Sequence, residues 1–332
     1  MRSIFIDTTK ALGILLVVLG HIMSYYGVFD SFKQTFIMFH VPCFFFISGM
    51  FYSGNKGVLL YLKKRVKGLV IPYLFFFFTF SVFLPYFLYY LFSFKVINYN
   101  EENILSLIKP IFTESLHPCT QIWFLICLFE VSLHFLLLER ISYYIFKREK
   151  NRYIFLFVLC FILSCLGILL STTYNLPYFW DNSLTVIIYF CVGYILKKFN
   201  YIYFVDNLSQ KKLILFFIVS MFSVYILKNP GCGYFSNGFP GNKFSVIYCG
   251  IIGSISLCFA GKLLERIKGL RYIGTNTLII LGTHSFIYQI INIWIHFNNN
   301  YCSIISSFLI SCLLFIPISY LFNKFFPLCV GR

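Results

Sequence analysis

Apolar runs of bilayer length recur along this chain, and they restrict it to one class of fold. A helix needs about 20 residues to cross the hydrocarbon core of a bilayer. Runs of that order lie at roughly 8–27, 33–53, 69–93, 119–138, 153–172, 183–198, 212–228, 244–263, 275–297 and 303–323. Inside hydrocarbon every backbone amide and carbonyl must find its partner within the protein, so such runs become helices. The expected fold is all-α, a polytopic membrane protein of about ten transmembrane helices. Charged residues make up only 11% of the chain and the mean hydropathy is +0.82, where soluble domains carry roughly 25% charge.

The net charge of +16 raises the question of a polyanionic partner, and the positions of the cations answer it. With the N-terminus inside, all but five of the 27 lysines and arginines fall in inner segments. The five are Lys33, Lys95, Lys109, Lys228 and Lys243. Positive charge retained on the cytoplasmic side orients a multi-pass protein, so both termini are expected in the cytoplasm and no nucleic-acid partner is needed. The first apolar run shows no small-residue cleavage site and reads as a retained helix rather than a signal peptide.

The first two runs each contain a histidine, His21 and His40. An ionisable side chain at membrane depth is costly and marks a functional site by default. Asp7 and Lys10 are helical neighbours, and the eleven residues from Lys10 to His21 return to within about 20° of the same direction. Asp7, Lys10 and His21 therefore share a face, with His21 ~16 Å beyond Lys10 along the axis. In the second run His40 is expected at a depth similar to His21. Pro42 loosens the helix beside it, and Ser48-Gly49 offers a small surface for a neighbouring helix. His40 itself reads either as part of a site or as an interhelical hydrogen bond.

These residues also follow a known pattern. D-x-x-K-(x10)-H and then F-H-x-P-x-F-F-F-x-S-G comprise Asp7, Lys10, His21, Phe39, His40, Pro42, Phe44 to Phe46, Ser48 and Gly49. Downstream come a basic run ending in Pro72-Tyr73, the segment Trp123 to Leu125, and G-x-N-T-L-x-I-L-x-x-H from Gly274 to His284. Together they resemble the integral-membrane acyltransferase 3 family, with a likeness to its fucose 4-O-acetylase-like members, across nearly the whole chain. The resemblance implies a single transmembrane acyltransferase domain over residues 1–332. It further implies an acyl-CoA donor, acetyl-CoA foremost, and a glycan or lipid-linked sugar as acceptor, in the bacterial cytoplasmic membrane. Many family members have Arg where this chain has Lys10, which keeps the charge but not the planar fork.

Acyl transfer from a thioester to a hydroxyl needs a base and a cationic grip on the donor. His21 is the first candidate for base or transient acyl carrier, and His40 for a second base or an orienting group. Lys10, Lys64 and Arg65 are the candidate donor-binding residues, Arg65 because a guanidinium suits phosphate. The run Lys63 to Lys67 is expected at the membrane face just before the third helix. It also reads as ordinary topology charge.

Other segments carry weaker signals. Glu130 and His134, four apart on one helix face, are expected to hydrogen-bond each other or to line a cavity. Glu101, Glu102, Glu114 and His117 lie in a polar outer segment, and 228–243 is a Gly/Pro/Asn-rich outer loop. His284 closes the late motif, and His296 is an interfacial residue. Eight cysteines lie within spans as small apolar fillers; two of Cys119, Cys232 and Cys302 are candidates for a disulfide. No metal-binding spacing is present. A glycan or lipid transporter is the second reading, though residues 1–166 and 167–332 show no inverted repeat, and a structural membrane partner is the third.

Overall fold

A computed structural model of the chain describes residues 3–54, 57–84, 120–173, 179–229, 242–294 and 299–331. Among the described residues all regular structure is helical. In chain order the helices are α1 (Ile4–Tyr25), α2 (Ser31–Ile37), α3 (His40–Met50), α4 (Val58–Arg65), α5 (Ile71–Phe77), α6 (Trp123–Ile145) and α7 (Glu149–Thr173). They continue as α8 (Trp180–Lys198), α9 (Tyr201–Asp206), α10 (Gln210–Leu227), α11 (Lys243–Leu263), α12 (Lys268–Thr275), α13 (Thr277–Trp294) and α14 (Asn300–Phe325). Among the described residues α1, α7, α10, α11 and α14 are long and apolar enough to cross a membrane. The protein is a multi-pass membrane protein.

The chain forms two compact units. One comprises Met1–Gly57, Glu130–Leu176 and Trp180–Thr277; the other comprises Val58–Phe129, Pro177–Phe179 and Leu278–Arg332. In the first, α1 packs against α3, α11 and α12, and α8 lies between α3 and α7. Lipid supplies no hydrophobic drive between helices, so close backbone approach at small residues takes its place. Gly49 of α3 presses on the Phe190 backbone of α8, and Gly193 of α8 presses on the Phe46 backbone of α3; a Cβ at either would overlap the opposing carbonyl. Gly274 meets the Asp7 backbone in the same way. Several hydroxyls bond within their own helices, Thr9 donating to the Phe5 carbonyl at 2.8 Å and Thr185 to that of Asp181 at 2.9 Å.

The second expected span is two helices rather than one. α2 stops at Ile37, Phe39 takes a non-helical conformation (φ −136°, ψ −12°), and α3 begins at His40. Pro42 is thus the third residue of a new helix, where its missing N–H had no intrahelical partner to lose. The break precedes the proline instead of following from it.

In the second unit α4 runs through a π-helical turn, Val66–Val70, into α5 and a further π-helical stretch, Phe78–Phe83. The basic run Lys63 to Lys67 therefore lies within this helix, not ahead of it. Phe76, Phe77, Val82, Ile122, Ile279 and Val330 form the buried core there, and Gly282 makes room for the Phe76 ring.

Candidate functional site

The site of the first unit is built along α1. Asp7 sits in the first turn, 2% exposed, where the positive end of the helix dipole favours a carboxylate. Lys10 lies one turn on, its Nζ 3.7 Å from Asp7 Oδ1 and its side chain 28% exposed. The same Nζ lies 5.8 Å from the centre of the Phe51 ring. Lys197, in the last turn of α8, brings a second ammonium to that ring at 4.9 Å. Lys10 and Lys197 are thus gathered at one phenyl group from two distant stretches of chain. In sequence, Lys197 looks like any other inner-loop cation, and only its packing distinguishes it.

His21 is half-buried, eleven residues further along α1. α2 and α3 run antiparallel to this helix: the Phe36 ring packs at Gly20, while the Phe44 ring and the His40 carbonyl pack at Gly13. The His40 backbone therefore meets α1 between the levels of Lys10 and His21. Its ring turns back towards the α2 end, with Nδ1 3.0 Å from the Phe36 carbonyl oxygen and 3.1 Å from that of Ile37. Carbonyl oxygens only accept, so Nδ1 carries the hydrogen and the neutral ring keeps its lone pair on Nε2. The two carbonyls belong to the end of α2, and that of Phe36 also accepts the Phe39 N–H at 3.2 Å. The His40 ring adds a donor where the helix ends.

Lys33, one of the five cations counted in outer segments, is 1% exposed. Its ammonium donates to Ser24 Oγ at 2.7 Å and to the Val28 carbonyl at 3.1 Å, and lies 4.6 Å from the Phe29 ring. It ties the end of α1 to the start of α2, one helical turn from His21. Below, Glu139 is 3% exposed and accepts hydrogen bonds from Tyr52 at 2.7 Å and Tyr194 at 3.3 Å.

Glu130 and His134 do not bond to each other. Glu130 Oε2 and His134 Nδ1 are both without hydrogen-bond partners. The Glu130 carboxyl faces Ser183 and Asp181 at the start of α8, and the His134 ring stands edge-on to Trp180 at 5.4 Å. The tertiary partners from α8 override the expected pairing along α6.

Lys64 and Arg65 lie in the second unit. Lys64 is exposed; Arg65 is half-buried with its guanidinium 5.0 Å from the Tyr61 ring, directly before the π-helical turn. His284 is fully buried, its Nδ1 facing the carbonyls of Ile280 at 3.0 Å and Leu281 at 2.9 Å. Glu101, Glu102, Glu114, His117, His296, Cys119, Cys232 and loop residues 230–241 fall outside the described residues. Cys302 is an exposed free thiol. Among the described residues no cluster of His, Cys, Asp and Glu suits a metal.

The sequence model of an acyltransferase domain, that of the acyltransferase 3 family, matches residues 3–324. The chain belongs to this acyltransferase family. It is a membrane acyltransferase. No curated protein and no solved structure matches the chain.

Proposed function

We propose that this acyltransferase moves an acetyl group from acetyl-CoA to a hydroxyl of a cell-surface or lipid-linked sugar, in the bacterial cytoplasmic membrane. The observation that carries the reading is the course of α1: it bears Lys10 and His21 on one helix and packs against the His40 backbone between them. A cationic end and two imidazoles are what a thioester donor and a hydroxyl acceptor require.

In this reading Lys10 holds donor phosphate, with Lys64 and Arg65 as further donor-binding residues, and the pantetheine arm reaches towards His21. His21 takes the proton of the acceptor hydroxyl as its oxygen attacks the thioester carbonyl. The tetrahedral intermediate then collapses, the carbon–sulfur bond breaks, and the imidazolium returns its proton to the departing thiolate. His40, with its Nε2 lone pair, accepts a hydrogen bond from the acceptor and orients it, or serves as a second base. The positioned imidazole accounts for about 10²- to 10⁴-fold of rate.

The test is the acyl content of surface glycans, by mass spectrometry, in cells expressing wild type or His21→Ala at equal membrane levels. An acetyl increment present with wild type and lost in the variant is expected. An increment that survives in the variant removes His21 from the mechanism.

A further inference from the structure

The basic run Lys63 to Lys67, across the end of α4 and the π-helical turn, divides between two faces. Arg65 turns to the Tyr61 ring, whereas Lys63 and Lys67 line a groove of about 440 Å³ together with Leu62, Val66, Ile71 and Leu328. Lys64 is not among its lining residues. The far wall comes from the C-terminal turn Leu328–Val330, which leads to Gly331, where a Cβ would come within 3.5 Å of Gly68. Both lysines are exposed, and Val66, Ile71 and Leu328 are 39%, 41% and 63% exposed.

The groove's chemistry is that of an amphiphile with an anionic head. It holds two ammonium groups and no acidic residue, and its other four side chains are aliphatic. Ile71 lies eight residues beyond Lys63, ~12 Å deeper along the helix, so charge sits at one end and apolar surface at the other. Lysine stems lie along apolar surface while their ammonium groups reach headgroup level, and basic pockets on the cytoplasmic side attract lipid phosphates. A coenzyme would place an adenine ring in contact with protein, and this groove offers it neither an aromatic face nor a hydrogen-bonding amide.

We propose that this groove binds an anionic phospholipid of the inner leaflet, with the phosphate between Lys63 and Lys67 and the acyl chains along Val66, Ile71 and Leu328. The bound lipid would steady the helix at the π-helical turn directly after Arg65. It is a site for a membrane component, separate from the acyl donor and acceptor.

Native mass spectrometry of the full-length protein, titrated with phosphatidylglycerol or phosphatidylcholine, tests this. Wild type is expected to retain phosphatidylglycerol in preference. The double variant Lys63→Gln/Lys67→Gln should bind it about 30-fold more weakly, each lysine near an anionic headgroup contributing about 1 kcal/mol. Lys63→Arg/Lys67→Arg should retain the preference, as should Lys211→Gln/Lys212→Gln in a different inner segment. Should the glutamine pair fail to fold, Leu328→Glu places a carboxylate at the exposed wall and should abolish the preference. Equal retention by wild type and the glutamine pair overturns the proposal, as does equal binding of the two lipids. Displacement of the lipid by acetyl-CoA also overturns it, because the groove would then belong to the donor.

Discussion

The Nδ1 of His40 lies 3.0 Å from the carbonyl oxygen of Phe36, so the ring closes the helix that ends just before it. One nitrogen is committed to the backbone, and in the proposed mechanism the other meets the acceptor. The two duties are separable, because an asparagine amide reaches about as far as Nδ1 and has no counterpart to Nε2. His40→Asn is expected to keep thermal stability near wild type while lowering acyl transfer at least tenfold. His40→Ala should lose both, with a stability cost of about 1 kcal/mol for the missing hydrogen bond. Unfolding in detergent and glycan acylation measured on the same preparations check this. Full activity in the asparagine variant would leave His40 with the backbone duty alone.

Lys197 should share donor binding with Lys10. Lys197→Gln is expected to raise KM for acetyl-CoA about five- to tenfold, the equivalent of ~1–1.4 kcal/mol, with kcat nearly unchanged. Because this is a charge effect, the difference from wild type should shrink in high salt. Lys10→Arg should remain active, whereas Lys10→Ala leaves the buried Asp7 carboxylate without its 3.7 Å neighbour and should cost stability as well as affinity. Steady-state kinetics at two ionic strengths distinguishes these outcomes.

The seam between α3 and α8 admits no side chain. Gly49→Ala and Gly193→Ala should each destabilise the protein by about 1–3 kcal/mol through overpacking, and the double variant should cost less than the sum because both open the same contact. Thermal unfolding of the three variants measures it. If either alanine is neutral, the backbones are not in contact at that point.

Glu139 depends on its phenol donors. Tyr52→Phe should cost about 1.5–3 kcal/mol, the range for a hydrogen bond to a charged group, and Tyr194→Phe less, because its bond is the longer at 3.3 Å. A double-mutant cycle with Glu139→Gln should show coupling with both tyrosines. Additive effects would mean that the carboxylate is held by something else.

Much of the frame is legible in the residue order. α1 extends over Ile4–Tyr25, close to the apolar run expected at 8–27, because bilayer length and backbone satisfaction leave a chain little choice. The break before His40 is not legible. Met38 and Phe39 are apolar and buried, and the device that permits the break is a side chain reaching back to carbonyls, which no periodicity records. Glu130 and His134 have the right spacing for a pair, yet residues more than forty positions away decide where both point. Lys33 is, by sequence, only one of the five outer cations, and it becomes a buried tie. In each case the missing information is a long-range contact. Membership of the acyltransferase family, carried by short motifs in order, supports the enzyme reading and lends none to the transporter reading that composition alone leaves open.

Phe51 gives the cationic end of α1 a further property. An ammonium leaning on a phenyl ring is partly stripped of water and held in place, yet leaving the ring costs only about 0.5–1 kcal/mol. Lys10 and Lys197 are both held in this way. In the proposed reading, a donor phosphate would meet two charges already turned towards a common point, and would need only to exchange a soft contact for a strong one. On its departure the ring would take the lysines back, leaving the pair set for the next turnover without any rearrangement of the helices.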